Sequence, residues 1–479
     1  MSPAASPEML WTAAEAVAAT GGRCDADWSA SGVTIDSRAC QAGDLFVALA
    51  GPKFDGHDFI KNALESGAVA AMAHRRPEAL DAGAPLLMVD DTLAGLTALG
   101  AAGRARSKAR FIAVTGSVGK TGTKEALKAS LGALGPTTAS AASFNNHWGV
   151  PLSLARMPRS AVFGVFEIGM NHPGEIGPLS RLVQPHVAII TTVQPVHLAF
   201  FKNVLEIADA KAEIFEGMTP QGVAVLNRDH PLFANLTERA RACGVTRFVT
   251  FGRHGEADVR LVDCSLHATC SAVEALVRGK AVEYCLSLPG EHLVINSLGV
   301  LAVVAALGED VVKAAKALSG LAPLKGRGER HEIALPQGAF LLIDESYNAN
   351  PTSVKAAIAV LGRATVGAGG RRIAVLGDML ELGPAARELH VGLAKPLVDS
   401  GCDLVFTCGR EMAALHEALP PAMRSQHAPD SDALAAAVTA AVGPGDTVMI
   451  KGSLGSRMAV IVAALKSLGV VPLRAANGE

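Results

Sequence analysis

The run Phe111-Ile112-Ala113-Val114-Thr115-Gly116-Ser117-Val118-Gly119-Lys120-Thr121 decides the fold. Four apolar residues read as a buried strand, and a glycine-punctuated turn delivers the chain into a helix from Lys120. Such a turn holds phosphate. Its glycines let backbone N–H groups approach phosphate oxygens, and the helix N-terminus adds positive potential. Lys120 adds a point charge for the outer phosphates, and the Thr121 hydroxyl can reach Mg²⁺. Only two residues separate Gly116 from Gly119, fewer than the four of the usual Walker loop.

Downstream of this run, strands and helices alternate. Strands are expected at 162–168, 187–191 and 222–227, with helices after Pro173 and from Val204. This is the pattern of a parallel sheet covered on both faces. Looser alternation at 259–288 predicts an antiparallel insertion before an apolar helix at 291–307, and this domain closes near Leu324. A third block alternates from 340 to the helix at 456, as in a doubly wound domain. No Gly-x-Gly-x-x-Gly follows any of its strands, which argues against a dinucleotide cofactor. Upstream, short strands at 33–36 and 44–49, with helical and apolar pieces at 59–67 and 84–89, read as a small α/β unit. The basic stretch 104–110 reads as a solvated helix end at a domain boundary. The fold class is therefore α/β with three domains, at 1–108, 109–324 and 325–479.

Composition narrows the function. Lys plus Arg total 43 against 45 Asp plus Glu, so no global field steers the chain toward nucleic acid, and any phosphate must be held locally. The longest apolar run, 298–307, is shorter than the roughly 18 residues of a membrane span. Glu8 and Glu15 interrupt the first apolar stretch, no cationic start precedes it, and a cytoplasmic location is expected. Eight cysteines without a Cys-x-x-Cys pair read as reduced structural thiols.

Several residues point into the crevice at the strand ends. Glu167 closes an apolar strand where a carboxylate is poised for Mg²⁺. His197, in Gln194-Pro-Val-His197, follows the next strand and reads alone as a satisfied structural histidine. Lys211 lies seven residues after Val204 on the apolar face of its helix. A buried ammonium needs a partner or loses its charge. Reaction with CO₂ to a carbamate and snorkelling to solvent are both open. Asn145 and Asn146 either orient a substrate or form a turn, and Asn296, in an apolar helix, bonds either backbone or a bound base. Asp344-Glu345-Ser-Tyr347-Asn348-Ala-Asn350-Pro351 and Lys451-Gly-Ser-Leu-Gly-Ser-Arg457 both read as crevice loops.

Together these residues resemble the Mur ligase family of ATP-dependent amide-forming enzymes. The run from Thr115 to Thr121 is similar to the family's phosphate loop. The resemblance implies ATP and two Mg²⁺ ions as cofactors, with Thr121, Glu167, His197 and Lys211 as metal ligands and Lys211 carbamylated. It implies Asn296 at the adenine and Arg327 at the phosphates, with Arg330 as the alternative. Glu345 stands where a second Asp is more common and implies a ribose or phosphate contact. Ala199 stands where an acid is common. Asp36-Ser37-Arg38, 43–49 and Asp55-Gly-His57-Asp-Phe59 imply an N-terminal domain holding a UDP-sugar through Ser37, Arg38, Asp55 and His57. Asn145, Asn146, Asp344, Tyr347, Asn348, Asn350 and Lys451 are implied on the substrate side.

Three runs, at 167–176, 347–351 and 375–383, are similar to the branch that joins D-alanyl-D-alanine to UDP-N-acetylmuramoyl-tripeptide. An Asp-Asn-Pro-Arg run found in a neighbouring branch is absent. The implied partners are these small molecules, and a monomer is expected. Two alternatives stand beside this reading: another amide ligase of the same fold, and a nucleotide-gated binding protein that makes no bond. The amine that drives ATP turnover separates them.

Overall fold

Every residue from Phe111 to Val114 is buried, as are the strands beside them, Phe163–Glu167 and Val187–Ile190. Strands dry on both faces need helices on both sides. The computed structural model describes residues 8–51, 53–78, 80–141, 144–195 and 200–469, and it joins these strands in a nine-stranded sheet. The order runs Thr137–Ala139, Phe163–Glu167, Arg110–Thr115, Val187–Ile190, Val223–Asn227, Arg247–Gly252 and Val259–Leu266, all parallel. Ser271–Val277 and Lys280–Leu286 complete it as antiparallel strands. Chain order reverses at Arg110–Thr115, whose neighbours carry later strands on either side, so the crevice of an open α/β sheet opens at its carboxyl end. Register fixes what stands there: Val114 pairs with Glu167, and Thr115 with Ile190.

The helix Glu291–Leu307 is apolar almost all round because it is wedged under this sheet, with Val294, Leu298 and Leu301 fully buried. Leu298→Ala is expected to destabilise the central lobe by about 2–5 kcal/mol, read as a lowered thermal midpoint.

Ahead of it, Gly32–Thr34, Asp44–Val47, Ala70–Ala73 and Leu86–Met88 form a parallel four-stranded sheet. The piece at 84–89, read as helical or apolar, is thus a strand: a short apolar run between turn residues has no period to distinguish the two. The stretch 104–110 is a helix end that is solvated only in part: Lys108 is exposed, but Arg104, Arg106 and Arg110 are half-buried. Arg104 lies over the Phe111 ring and donates to Val183 O, and Arg106 lies over Trp11. Their apolar stems pack across the seam while the guanidinium heads find carbonyls and rings. The third lobe has six strands, in the order Glu329–Leu335, Gly338–Glu345, Thr447–Lys451, Arg372–Gly377, Leu404–Cys408 and Arg424–Ala428. Leu376 and Glu345 flank Lys451 in register, which brings the loops after all three strands to one rim. All eight cysteines are free. Among the described residues no helix is long and apolar enough to cross a membrane.

Candidate active site

The helix Lys120–Gly132 begins at Gly119 without a side-chain cap, so its first N–H groups are left for a ligand. Gly119 takes φ +84°, and Gly116 approaches Thr191 so closely that a Cβ would stand 1.9 Å from its Oγ1. The loop is stitched to the next strand end: Thr191 Oγ1 donates to Val118 O at 2.6 Å, and the Ser117 amide donates to Thr192 O at 2.8 Å. Lys120 Nζ donates to Gly116 O at 2.7 Å. Burial and the Arg327 charge lower the Lys120 pKa, and Glu167 opposes them.

This loop floors a cleft of about 900 Å³ between the central and C-terminal lobes. Ser117 to Thr121, Asn145, Asn146, Glu167 and Asn296 line it from below. Arg327, Glu345, Tyr347, Asn348, Asn350 and Lys451 line it from above. Thr115 and Gly116 lie behind the lining. Glu167 is 1% exposed, its Oε1 accepts from Asn145 Nδ2 at 2.8 Å, and its Oε2 is buried with no hydrogen-bond partner among the described residues. A carboxylate oxygen left open in the cleft that Thr121 also lines offers hard oxygen donors of the kind that fit Mg²⁺. Lys211 is 2% exposed beneath the cleft, and among the described residues its ammonium has no hydrogen-bond or ion-pair partner. Burial, and then the like charge of Lys120, press its pKa well below the usual 10.5. Snorkelling is excluded by that burial. His197 and Ala199 lie outside the described residues.

Asn296 faces the phosphate loop, and a Cβ on Gly119 would stand 2.7 Å from its Nδ2. Gly119→Ala therefore combines a strained φ with a clash. It is expected to cost about 1–3 kcal/mol of stability and to weaken nucleotide binding roughly tenfold or more, read by calorimetric titration.

On the upper wall Lys451 Nζ sits 2.9 Å from Glu345 Oε2 and 3.1 Å from Asn348 O, and the Arg327 guanidinium lies 4.3 Å from the Tyr347 ring centre. Asn350 caps the helix Pro351–Arg363 by accepting from the Ser353 amide, which commits its oxygen locally. Asp344 does not reach the cleft: it is buried, and its Oδ1 accepts from the Ser346 amide at 3.0 Å, shaping the loop from behind. Thr352 Oγ1 donates to Gln194 Oε1 at 3.2 Å across the lobes.

The N-terminal residues are not brought to this cleft. Ser37 opens a short turn, and Arg38 is paired with Asp36 at 2.7 Å. Asp55 holds Arg75 at 2.9 Å and His57 Nδ1 at 2.6 Å. His57 is 1% exposed and its Nε2 accepts from the His74 amide, so it orders the Asp55 loop from within rather than offering a contact surface.

His292 was missed, although it lies one turn before Asn296 on the same helix face and lines the same cleft. Burial, chiefly, lowers its pKa from 6.5; Lys451 acts the same way, and Glu345 and Glu291 oppose. A histidine depressed in the folded state contributes stability above its unfolded pKa and loses it as pH falls. The thermal midpoint is expected to drop as pH is lowered from about 6.5 toward about 5.5, and His292→Gln to flatten that drop. Arg330 also lines the cleft, with Nη2 buried and without a hydrogen-bond partner among the described residues.

The chain matches three family models: the Mur ligase family catalytic domain over residues 29–117, the Mur ligase middle domain over 114–304, and the Mur ligase glutamate ligase domain over 326–454. It is 31% identical over 454 residues to the UDP-N-acetylmuramoyl-tripeptide--D-alanyl-D-alanine ligase of Rickettsia prowazekii, covering 95% of this chain and 99% of that one. A crystal structure of MurF from Acinetobacter baumannii superposes with a TM-score of 0.83 at 31% identity, covering 96% of this chain and 100% of the other. MurF from Thermotoga maritima in complex with ADP superposes at 0.75 with 27% identity, over 91% and 97% of the two chains. On these grounds the chain belongs to the Mur ligase family.

Proposed function

We propose that this protein is an ATP-dependent ligase that joins D-alanyl-D-alanine to UDP-N-acetylmuramoyl-tripeptide, giving the pentapeptide, ADP and phosphate. The observation that carries this is an uncapped phosphate loop facing an open carboxylate oxygen on Glu167, roofed by a second lobe. A carboxylate does not react with an amine at neutral pH until one of its oxygens becomes a leaving group. The tripeptide carboxylate oxygen attacks the γ-phosphorus and ADP leaves. The dipeptide amine then attacks the acyl carbon, phosphate leaves, and the amine proton is lost.

Lys120 is the charge that meets the transferred phosphoryl oxygens. Thr121 and Glu167 would hold one Mg²⁺, and carbamylated Lys211 with His197 a second. Bound there, these ions neutralise charge on the phosphoryl and acyl oxygens. Asn296 faces the base, and Arg327 or Arg330 the phosphates. Glu345, Tyr347, Asn348 and Lys451 form a roof that keeps water from the activated acyl group. We assign the lobe before residue 109 to the UDP-sugar, through Ser37, Arg38 and the Asp55 loop, and the lobe after 324 to closure. A monomer in the cytoplasm is the expected state.

The test is phosphate release with ATP, Mg²⁺ and UDP-N-acetylmuramoyl-tripeptide, with and without D-alanyl-D-alanine, with product mass read in parallel. Release that needs both substrates and yields the pentapeptide is expected. Release driven equally by a single amino acid, or by neither substrate, would overturn the assignment.

A further inference from the structure

Lys124 stands one turn beyond Lys120 on the helix Lys120–Gly132 and takes no part in the reading above. Its side chain is 0% exposed. Nζ donates to Ser140 O at 2.7 Å and lies 2.8 Å from Glu125 Oε1. Burying an ammonium this deep carries a desolvation cost that its hydrogen bonds and ion pair must offset, so what those bonds hold matters.

What it holds is the neighbourhood of Glu167. The Ser140 amide donates to Val165 O at 2.9 Å, and Ser140 Oγ accepts from the Glu167 amide at 3.2 Å. Asn145 completes the grip: its O accepts from the Gly169 amide at 2.8 Å and its Nδ2 donates to Glu167 Oε1 at 2.8 Å. The approach is so close that a Cβ on Gly169 would stand 2.9 Å from Asn145 Cγ. These contacts orient the carboxylate so that, among the described residues, its Oε2 is left without a hydrogen-bond partner. Ser140 thus joins Glu167 to Lys124, and Lys124 is rooted on the helix that begins with Lys120 and Thr121.

We propose that Lys124 is a positioning residue. Through Ser140 it fixes where the open oxygen of Glu167 stands relative to the phosphate loop, and so tunes divalent-cation affinity without touching cation or nucleotide. The inference rests on the reading of Glu167 as a ligand of the cation.

The experiment titrates Mn²⁺ into the full-length protein saturated with ADP, following free Mn²⁺ by electron paramagnetic resonance, for wild type, Lys124→Met, Ser140→Ala and Glu167→Gln. Groups that orient metal ligands typically change affinity by 10–100-fold. Lys124→Met is expected to raise the Mn²⁺ Kd roughly tenfold, with Lys124→Arg recovering part of it. Ser140→Ala should move in the same direction, and the double variant should be no weaker than Lys124→Met alone. ADP affinity in EDTA should stay within about twofold of wild type in Lys124→Met and Ser140→Ala. A merely structural lysine would lower the melting temperature and leave the Mn²⁺ Kd of the folded protein unchanged, which overturns the proposal. If Lys124→Met does not fold, Ser140→Ala decides alone, and an unchanged Kd there overturns it. If Glu167→Gln itself leaves Mn²⁺ binding unchanged, the ligand reading falls and this inference with it. If only Glu167→Gln weakens binding, that reading stands and Lys124 is structural.

Discussion

Lys120→Ala is expected to lower substrate-dependent phosphate release by about three orders of magnitude or more while leaving the melting temperature nearly unchanged. The asymmetry follows from what the side chain does before and after ligands arrive. Without them Nζ makes a single bond among the described residues, to Gly116 O, and burial with the Arg327 charge already disfavours its protonated form. Deleting it therefore removes little that stabilises the fold. With triphosphate in the loop, the same ammonium meets the oxygens whose charge grows during transfer, in a site closed to water, where one charge is worth far more than at the surface. Lys120→Arg should not restore the rate, because a planar fork cannot take the place of a compact point charge threaded past Gly116. A loss smaller than about tenfold in Lys120→Ala would remove this residue from the chemistry.

How much of this was legible beforehand depends on whether a signal is local. The strand, loop and helix from Phe111 to Thr121 were readable because apolar run, glycine punctuation and helix start sit side by side. Glu167 was readable because a strand-terminal acid in a parallel sheet has one place to point. The third lobe's loops were readable for the same reason, and Glu345, Tyr347, Asn348 and Lys451 do meet at one rim. Long-range partners were not legible. Asp344 looked like its neighbour Glu345, but alternation along the strand turns it inward, where it bonds the Ser346 amide. The strand Leu86–Met88 is too short to display a period. Arg104 and Arg106 looked solvated because the rings and carbonyl acceptors they meet belong to Phe111, Trp11, Val183 and Leu10. The burial of His57, implied as a sugar contact, was not legible because the His74 amide that occupies its Nε2 is supplied by another strand end. His292 alone was recoverable, by counting one turn back from Asn296.

Lys211→Met carries the second large effect, and it separates two fates of a buried amine. The lysine is 2% exposed with no protein partner among the described residues, and burial together with Lys120 holds its pKa far down. Burial and the like charge of Lys120 both disfavour the ammonium form, and it is the uncharged amine that is nucleophilic. Addition of CO₂ to Nζ, with loss of one proton, forms a carbamate, which turns an uncharged nitrogen into an anion that offsets the Lys120 charge and offers oxygens to a divalent cation. If Lys211 only fills space, methionine of similar length should preserve turnover, and removing a desolvated amine should keep or raise the melting temperature. If the carbamate is the working group, Lys211→Met should keep that stability and yet lose about two to three orders of magnitude in turnover. Wild type incubated with ¹³C-bicarbonate should show a carbamate carbonyl resonance that Lys211→Met lacks, and activity should fall in rigorously CO₂-depleted buffer and return on adding bicarbonate. Full activity in Lys211→Met would leave the buried amine a packing element and require another source of charge opposite Lys120.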